Sequence, residues 1–361
     1  MKTMFTKRVS ARAGAVSLAA VVALGSAVGV AGAEAAKPNP RPKVAMVIGL
    51  TANPFMKTVS DGAKDGTKAV SGASLKYVGP PAPNPTTEIQ LLQNVLSTKP
   101  AGVAVMPLQA SVWNRALSDA GKTGIPLLAF NEAPKQPSPV KTFVGINDRQ
   151  AAYSLLLELR KKVGANARGS IVLGNCIPGV ATLDFRITAF KQGIAKYLPN
   201  AKVVGPIETT TEPTKNLAAW QGAMGANRDA LAFIGNCDSD GPGLVKAKKE
   251  SGVKGELLTF DINLESVRGI KDGTMLAALG EAPYVRGYIS ARLLAETAKK
   301  GTTLPKGFVN IKGELVTKSN ASRVLTRESS LANTRKAYKQ YLTTFFKNPA
   351  AQMEPLSNVY K

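Results

Sequence analysis

The chain has 361 residues, 44% of them hydrophobic and 20% charged, which suits two domains of ordinary size and excludes wholesale disorder. It contains no histidine, so imidazole-based metal sites, Ser-His-Asp triads and histidine acid–base chemistry are excluded outright. With 47 Lys and Arg against 24 Asp and Glu the formal charge is +23, a balance shared by many nucleic-acid-binding proteins.

The N-terminus answers that last possibility. Lys2, Lys7, Arg8 and Arg12 precede an uncharged Ala/Val/Leu/Gly run, which ends in Ala31-Gly32-Ala33 and Ala33-Glu34-Ala35. This is the layout of a secretory signal peptide over residues 1–35. Residues 13–33 approach spanning length, so an uncleaved anchor is the alternative, but the Ala/Gly content and the two Ala-x-Ala sites favour cleavage. No cysteine follows the run, and nothing points to a lipoprotein. Export argues against a nucleic-acid partner, and the basic residues are scattered through segments such as KAKKE and ELRKK without interleaved aromatics. They describe a solvated basic surface suited to anionic envelope components.

After the Pro-rich linker KPNPRPK, apolar runs alternate with amphipathic stretches from Lys43 onward. The first half has strands KVAMVIG, SLKYVG, AGVAVMP, IPLLAF and TFVGI, with helices beginning near Phe55, Thr86, Ser111 and Arg149. The second has GSIVLGN, AKVVGPI, ALAFIGN, ELLTFD and MLAALGE, with helices beginning near Thr182, Thr214, Gly243 and Leu264. Strands alternating with helices of this length predict parallel sheets joined by right-handed crossovers. Two such series predict an α/β fold of two doubly wound parallel-sheet lobes, with ligands bound beyond the carboxyl ends of the strands.

Most of those carboxyl ends carry a polar residue just after the apolar run: Asn53, Asn131 with Glu132, Asn175 with Cys176, Asn236 with Cys237 and Asp238, Asp261, and Glu281. The third strand ends instead in Met106 and Pro107. One such residue is usually a helix cap. The stretch IGLTANPFM is explained that way too, with Asn53 as cap and Pro54 in the first turn. The whole set fits better as two rims facing one cleft. No G-x-G-x-x-G follows a strand and no G-x-x-x-x-G-K-[ST] occurs, so dinucleotide and nucleoside triphosphate sites have no support and no cofactor is expected.

At these positions the chain resembles the ribose-type (type I) sugar-binding proteins of ABC importers, over residues 43–318. The resemblance implies that Asn53, Phe55 and Met56 of the Asn-Pro-Phe turn contact a sugar, that DFRITAF brings Arg186 into the cleft, and that Asn236, Asp261 and Glu281 contribute from the second lobe. The chain departs from the pattern where relatives often carry Asp-Arg and it has Asn131-Glu132, where they carry Asn and it has Met106, and where Gln has become Glu281. Ribose as the ligand does not follow. The resemblance also implies three crossings, near Asn147, Glu281 and Lys306, giving lobes of residues 43–147 plus 282–306 and 148–281 plus 307–318. Residues 319–361, including SSLANTRKAYKQYLTTFF, are then a helical extension packed on the outside, or a contact for the transporter or membrane surface.

Cys176 and Cys237 each follow Gly-Asn at a strand end, and in the order 2-1-3-4-5 the first and third strands of a lobe are neighbours. The spacing of about 4.8 Å between such strands suits a disulfide in an oxidising compartment, with two buried free thiols as the alternative.

The implied function is an exported, monomeric binding protein that captures a sugar or polyol between its lobes and delivers it to an ABC permease. Two other readings stay open: a sensory protein presenting the same ligand to a receptor, and a glycosidase using two of Glu132, Asp261 and Glu281. Those three acids against Arg186 leave the cleft negative. Either ligand hydroxyls satisfy them, as in a neutral polyol, or the ligand brings an amine; an anionic ligand is disfavoured.

Overall fold

In a computed structural model, which describes residues 37–359, the apolar runs are strands and the stretches between them helices. The expected signal peptide lies outside the described residues. The first series is β1 (Lys43–Val47), α1 (Pro54–Lys68), β2 (Ser74–Val78), α2 (Pro85–Ser97), β3 (Gly102–Val105), α3 (Asn114–Lys122), β4 (Leu127–Phe130) and β5 (Thr142–Gly145). The second is α4 (Asp148–Val163), β6 (Gly169–Asn175), α5 (Ala181–Tyr197), β7 (Ala201–Glu208), α6 (Pro213–Ala226), β8 (Ala232–Gly235), α7 (Asp240–Ser251), β9 (Glu256–Phe260), α8 (Leu264–Asp272) and β10 (Ala277–Gly280). It is followed by α9 (Pro283–Lys300), β11 (Gly307–Asn310), β12 (Glu314–Val316), α10 (Ala321–Glu328) and α11 (Leu331–Phe345). Four helices open on an asparagine cap, Asn53, Asn84, Asn147 and Asn263, each accepting the backbone N–H three residues on.

The first sheet runs β11-β5-β4-β3-β1-β2 and is parallel throughout. The second runs β12-β10-β9-β8-β6-β7, parallel except for the edge strand β12. β3, β4 and β8 are buried along their whole length, as central strands covered on both faces must be. The fold is thus the doubly wound α/β architecture in two sheets, and the chain passes between them after β5, after β10, and between β11 and β12.

That last passage corrects the expected boundary. Residues 307–310 were expected in the second lobe, yet β11 pairs in parallel with β5, and Phe308 stacks on Phe143 with ring centroids 5.4 Å apart. Only the short β12 joins the second sheet, antiparallel to β10. The apolar GFV of β11 finds a partner face in the first sheet before the chain crosses.

Helix α9 follows the second series in sequence but packs along α1 and against β1, β3, β4 and β5. The two helices touch backbone to backbone: a Cβ on Gly287 would lie 1.9 Å from the Val59 carbonyl oxygen, and one on Gly62 would lie 2.0 Å from that of Tyr284. Beyond residue 319 the described residues form α10 and α11, the second within the stretch SSLANTRKAYKQYLTTFF. Helix α10 buries Ala321 and Val324 against α8, while α11 buries Leu342 and Phe345 and stacks Tyr338 on Tyr284 of α9. Farther on, Glu354 bridges Phe308 of β11, and the Asn358 carbonyl accepts from Asn147 at the first crossing. Among the described residues no helix is long and apolar enough to cross a membrane.

Candidate functional site

Where each strand stops, the chain must turn out of the sheet, and at several of these turns the backbone adopts a left-handed conformation. Asn131 after β4, Thr210 after β7, Asp261 after β9 and Ala282 after β10 have φ of 61°, 59°, 64° and 50°. None is glycine, so each holds about 1–3 kcal/mol of strain, a cost that gathers at ligand clamps. The strand ends of both sheets bound one cavity of about 70 Å³. A single water needs about 10–15 Å³ on this scale, so the space suits one small molecule.

Asn53, Phe55, Met56, Met106, Asn131, Glu132, Arg186, Asp261 and Glu281 all line this cavity. Asn53 is at once the cap and a cavity residue: its Oδ1 accepts the Met56 N–H of α1, and its Nδ2 donates to Asp238 Oδ1 beyond β8 at 3.3 Å. Pro54 and Phe55 follow because the cap fixes the turn. Glu132 reaches the other way. Helix α5 has no side-chain cap of its own at Val180, and Glu132 Oε2 accepts the Thr182 N–H at 3.2 Å. Residues of the first sheet's strand ends are therefore hydrogen-bonded to elements of the second on two sides of the cavity.

Asn236 is the expected residue that the cavity does not include. It is fully buried, its Oδ1 accepting from the Cys176 N–H and its Nδ2 donating to the Leu183 carbonyl. Its place is taken two residues on by Asp238. Cys176 and Cys237 are joined in a disulfide, Cα to Cα 6.4 Å, as expected for neighbouring β6 and β8, and both line the cavity.

Two further residues organise the charge. Arg186 Nε donates to Asp148 at 2.6 Å, Nη1 to the Asn236 carbonyl at 3.0 Å, and Nη2 faces Glu281 Oε1 at 2.5 Å; its guanidinium lies 4.1 Å from the Phe260 ring centroid. Arg286, from the buried face of α9, pairs with Glu281 and Asn131 and lies over Phe55. Arg186 thus lines the cavity and Arg286 stands behind it, each with an internal partner. Burial alone would raise the Glu281 pKa, but the two guanidiniums hold it below the usual carboxylate range. The other acids shift the opposite way. Burial pushes Glu132 up to about 7 and Asp238 up to about 6. Asp261 is raised well above its ordinary value by burial and by the Glu281 charge, and Asp148 is raised by burial despite Arg186.

Asp238 belonged to a strand-end set already visible in the sequence. Arg286 carried no such signal, since its place follows from how α9 lies on α1.

A model of the periplasmic binding protein domain matches residues 44–302. The ribose import binding protein RbsB of Haemophilus influenzae is 22% identical over 283 residues, 78% of this chain and 94% of that protein. The xylitol-binding protein of Mycolicibacterium smegmatis is 23% identical over 310 residues, 85% of this chain and 82% of that protein. Among solved structures, an ABC transporter solute-binding protein from Burkholderia graminis in complex with D-arabinose superposes with a TM-score of 0.71 at 23% identity, covering 78% of this chain and 97% of that one. With its two doubly wound sheets and shared cavity, the chain belongs to the periplasmic binding protein family, a family of ligand-binding proteins and not of enzymes, and it is similar to the ribose-type (type I) sugar-binding proteins among them.

Proposed function

We propose that this chain is the exported, monomeric capture component of an ABC importer, closing two lobes over one sugar or polyol, with or without an amine, and delivering it to a membrane permease. One observation carries the proposal: side chains from the strand ends of both sheets surround a single cavity and are linked across it by the Asn53–Asp238 and Glu132–Thr182 hydrogen bonds. A ligand touching both rims stabilises the closed arrangement only through contacts that need both lobes, so it shifts a hinge equilibrium without any bond being made or broken. Asn53 and Asn131 carry amide groups suited to hydroxyls, and Phe55 offers an apolar face to ring C–H groups. Buried charged groups such as Asp261 and Arg186 discriminate strongly, because a missing hydroxyl leaves them unpaired.

Titration calorimetry against pentoses, hexoses, sugar alcohols and amino sugars tests the binding step, and at least one should give saturable heat. Small-angle scattering with that ligand should show a smaller radius of gyration. Failure of the whole panel to bind would refute the proposal. Uptake of the bound ligand should be lost in cells lacking the protein; uptake retained with binding intact would refute delivery to a permease.

A further inference from the structure

Two arginines and five carboxylates meet at the cavity, and their pairing is uneven. Arg186 is the only basic side chain lining it among the described residues, and Arg286 stands directly behind through Glu281 and Asn131. Together they neutralise Asp148 and Glu281. Glu132, Asp238 and Asp261 remain. The hydrogen bonds to Glu132 and Asp238 come from neutral donors, the Thr182 N–H and the Asn53 amide; Asp261 shares a hydrogen bond with the Glu281 carboxyl, and the cation it faces is Arg186, with Nη1 at 4.0 Å.

We infer that the captured ligand is a small polyhydroxylated amine, an amino sugar or amino polyol, whose ammonium group sits between Asp238 and Asp261. The inference rests on the cavity being the ligand site, as proposed above. These two carboxylates follow the ends of adjacent strands, β8 and β9, and line the same cavity. Burial is the largest cause of each carboxyl's hold on its proton; the Glu281 charge adds to both, and the Asp238 charge adds to that of Asp261, the behaviour of like charges awaiting a counter-charge. A buried carboxylate is costly until a cation or several donors reach it. An ammonium supplies both, with three N–H donors on one charged centre.

Other cations and anions fit less well. A bare metal ion needs ligand atoms that converge, and among the described residues the only such group is Cys176, Cys237 and Asp240, whose sulfurs are already bonded to each other. An anionic ligand would meet one lining cation, with three sets of its donors already engaged. The rest of the cavity, with Asn53, Asn131 and the half-buried Phe55, is furnished for hydroxyls and a ring face.

The test is titration calorimetry of the native protein at pH 7.5 with matched pairs: D-glucosamine against D-glucose, D-galactosamine against D-galactose, and glucamine against sorbitol. N-acetylglucosamine serves as the amine-blocked control. In at least one pair the amine should bind about 10- to 100-fold tighter than its neutral partner, the scale of a charge-assisted hydrogen bond in place of a neutral one. Asp238→Asn and Asp261→Asn should each erase most of that ratio while changing the affinity for the neutral partner less. Tighter or equal binding of the neutral member in every pair overturns the inference and leaves the polyol-capture proposal standing. Absence of binding by every neutral and amine probe overturns both. The native ratio decides the matter even if a variant fails to fold.

Discussion

Replacing Glu132 by Gln should make the unliganded protein more stable at pH 8 and leave it nearly unchanged at pH 5. Glu132 is 2% exposed, and burial pushes its carboxyl from an ordinary 4.5 up to about 7, against the help of the Thr182 N–H and the Arg186 charge and with Asp148 adding to the rise. The Glu132 charge in turn helps raise the Glu88 carboxyl, pushed up to about 9 chiefly by burial, so Glu88 stays protonated over this pH range. An acid with a raised folded-state pKa holds its proton more tightly folded than unfolded. It therefore destabilises the fold above the unfolded value, and the penalty grows as pH rises from about 4.5 to about 7 before levelling off. That interval corresponds to about 3 kcal/mol at pH 8 and under about 1 kcal/mol at pH 5. Glutamine keeps the shape and a carbonyl for the Thr182 N–H, and removes the charge. Urea denaturation of both proteins at the two pH values measures the difference. A variant no more stable than native at pH 8, or a gain of equal size at both values, would refute the burial argument. Because Glu132 lines the cavity, the gain should come with weaker ligand binding, the usual exchange between stability and function.

Opening the disulfide with Cys176→Ala and Cys237→Ala releases residues separated by 61 positions and should cost up to about 4 kcal/mol by the chain-entropy model. Unchanged denaturation midpoints would count against it, as would two reactive thiols in the unreduced, denatured native protein. Gly287→Ala places a methyl 1.9 Å from the Val59 carbonyl oxygen and must push α9 off α1, so thermal unfolding should show a loss of about 3 kcal/mol or more; an unshifted transition would mean the helices do not touch there. In the C-terminal extension, Phe345→Ala should cost about 3–5 kcal/mol because the ring is 3% exposed. Arg335→Ala, whose partner Asp65 it meets at the surface, should cost less than about 1 kcal/mol. The reverse order would show the extension to be held by charge.

How much of this was legible in the sequence varies with the kind of signal. The ten strands of the two series were readable from their apolar runs, and the cavity's rim from the polar residues that end them. Asn53, Glu132, Asp261 and Glu281 stand one to six residues beyond a strand, where backbone direction leaves little choice. Asn236 and Asp238 were both candidates, and sequence cannot say which side chain satisfies the backbone N–H of Cys176 and which faces the cavity. Arg286 was invisible for a different reason. Its position depends on the close approach of α9 to α1 through Gly62 and Gly287, a long-range contact that local periodicity does not encode. Helix α3 begins at Asn114, later than the expected Ser111, because the preceding residues turn to bury Trp113. Strand β11 was misplaced because GFVN suits either sheet edge equally, and the choice is made by Phe143 and by Glu354 arriving from the far end of the chain.

The central claim is that the strand ends of two sheets hold one ligand between them. A crystal structure of the protein saturated with the tightest binder from the panel tests it most directly. The account predicts electron density for that molecule in the cavity inside the Asn53–Asp238 hydrogen bond, within hydrogen-bonding distance of side chains from both sheets, Asn53 or Asn131 on one side and Asp238 or Asp261 on the other. Density confined to residues of one sheet, or lying in the larger groove outside that pair beside Pro54, Lys246 and Glu265, would contradict it.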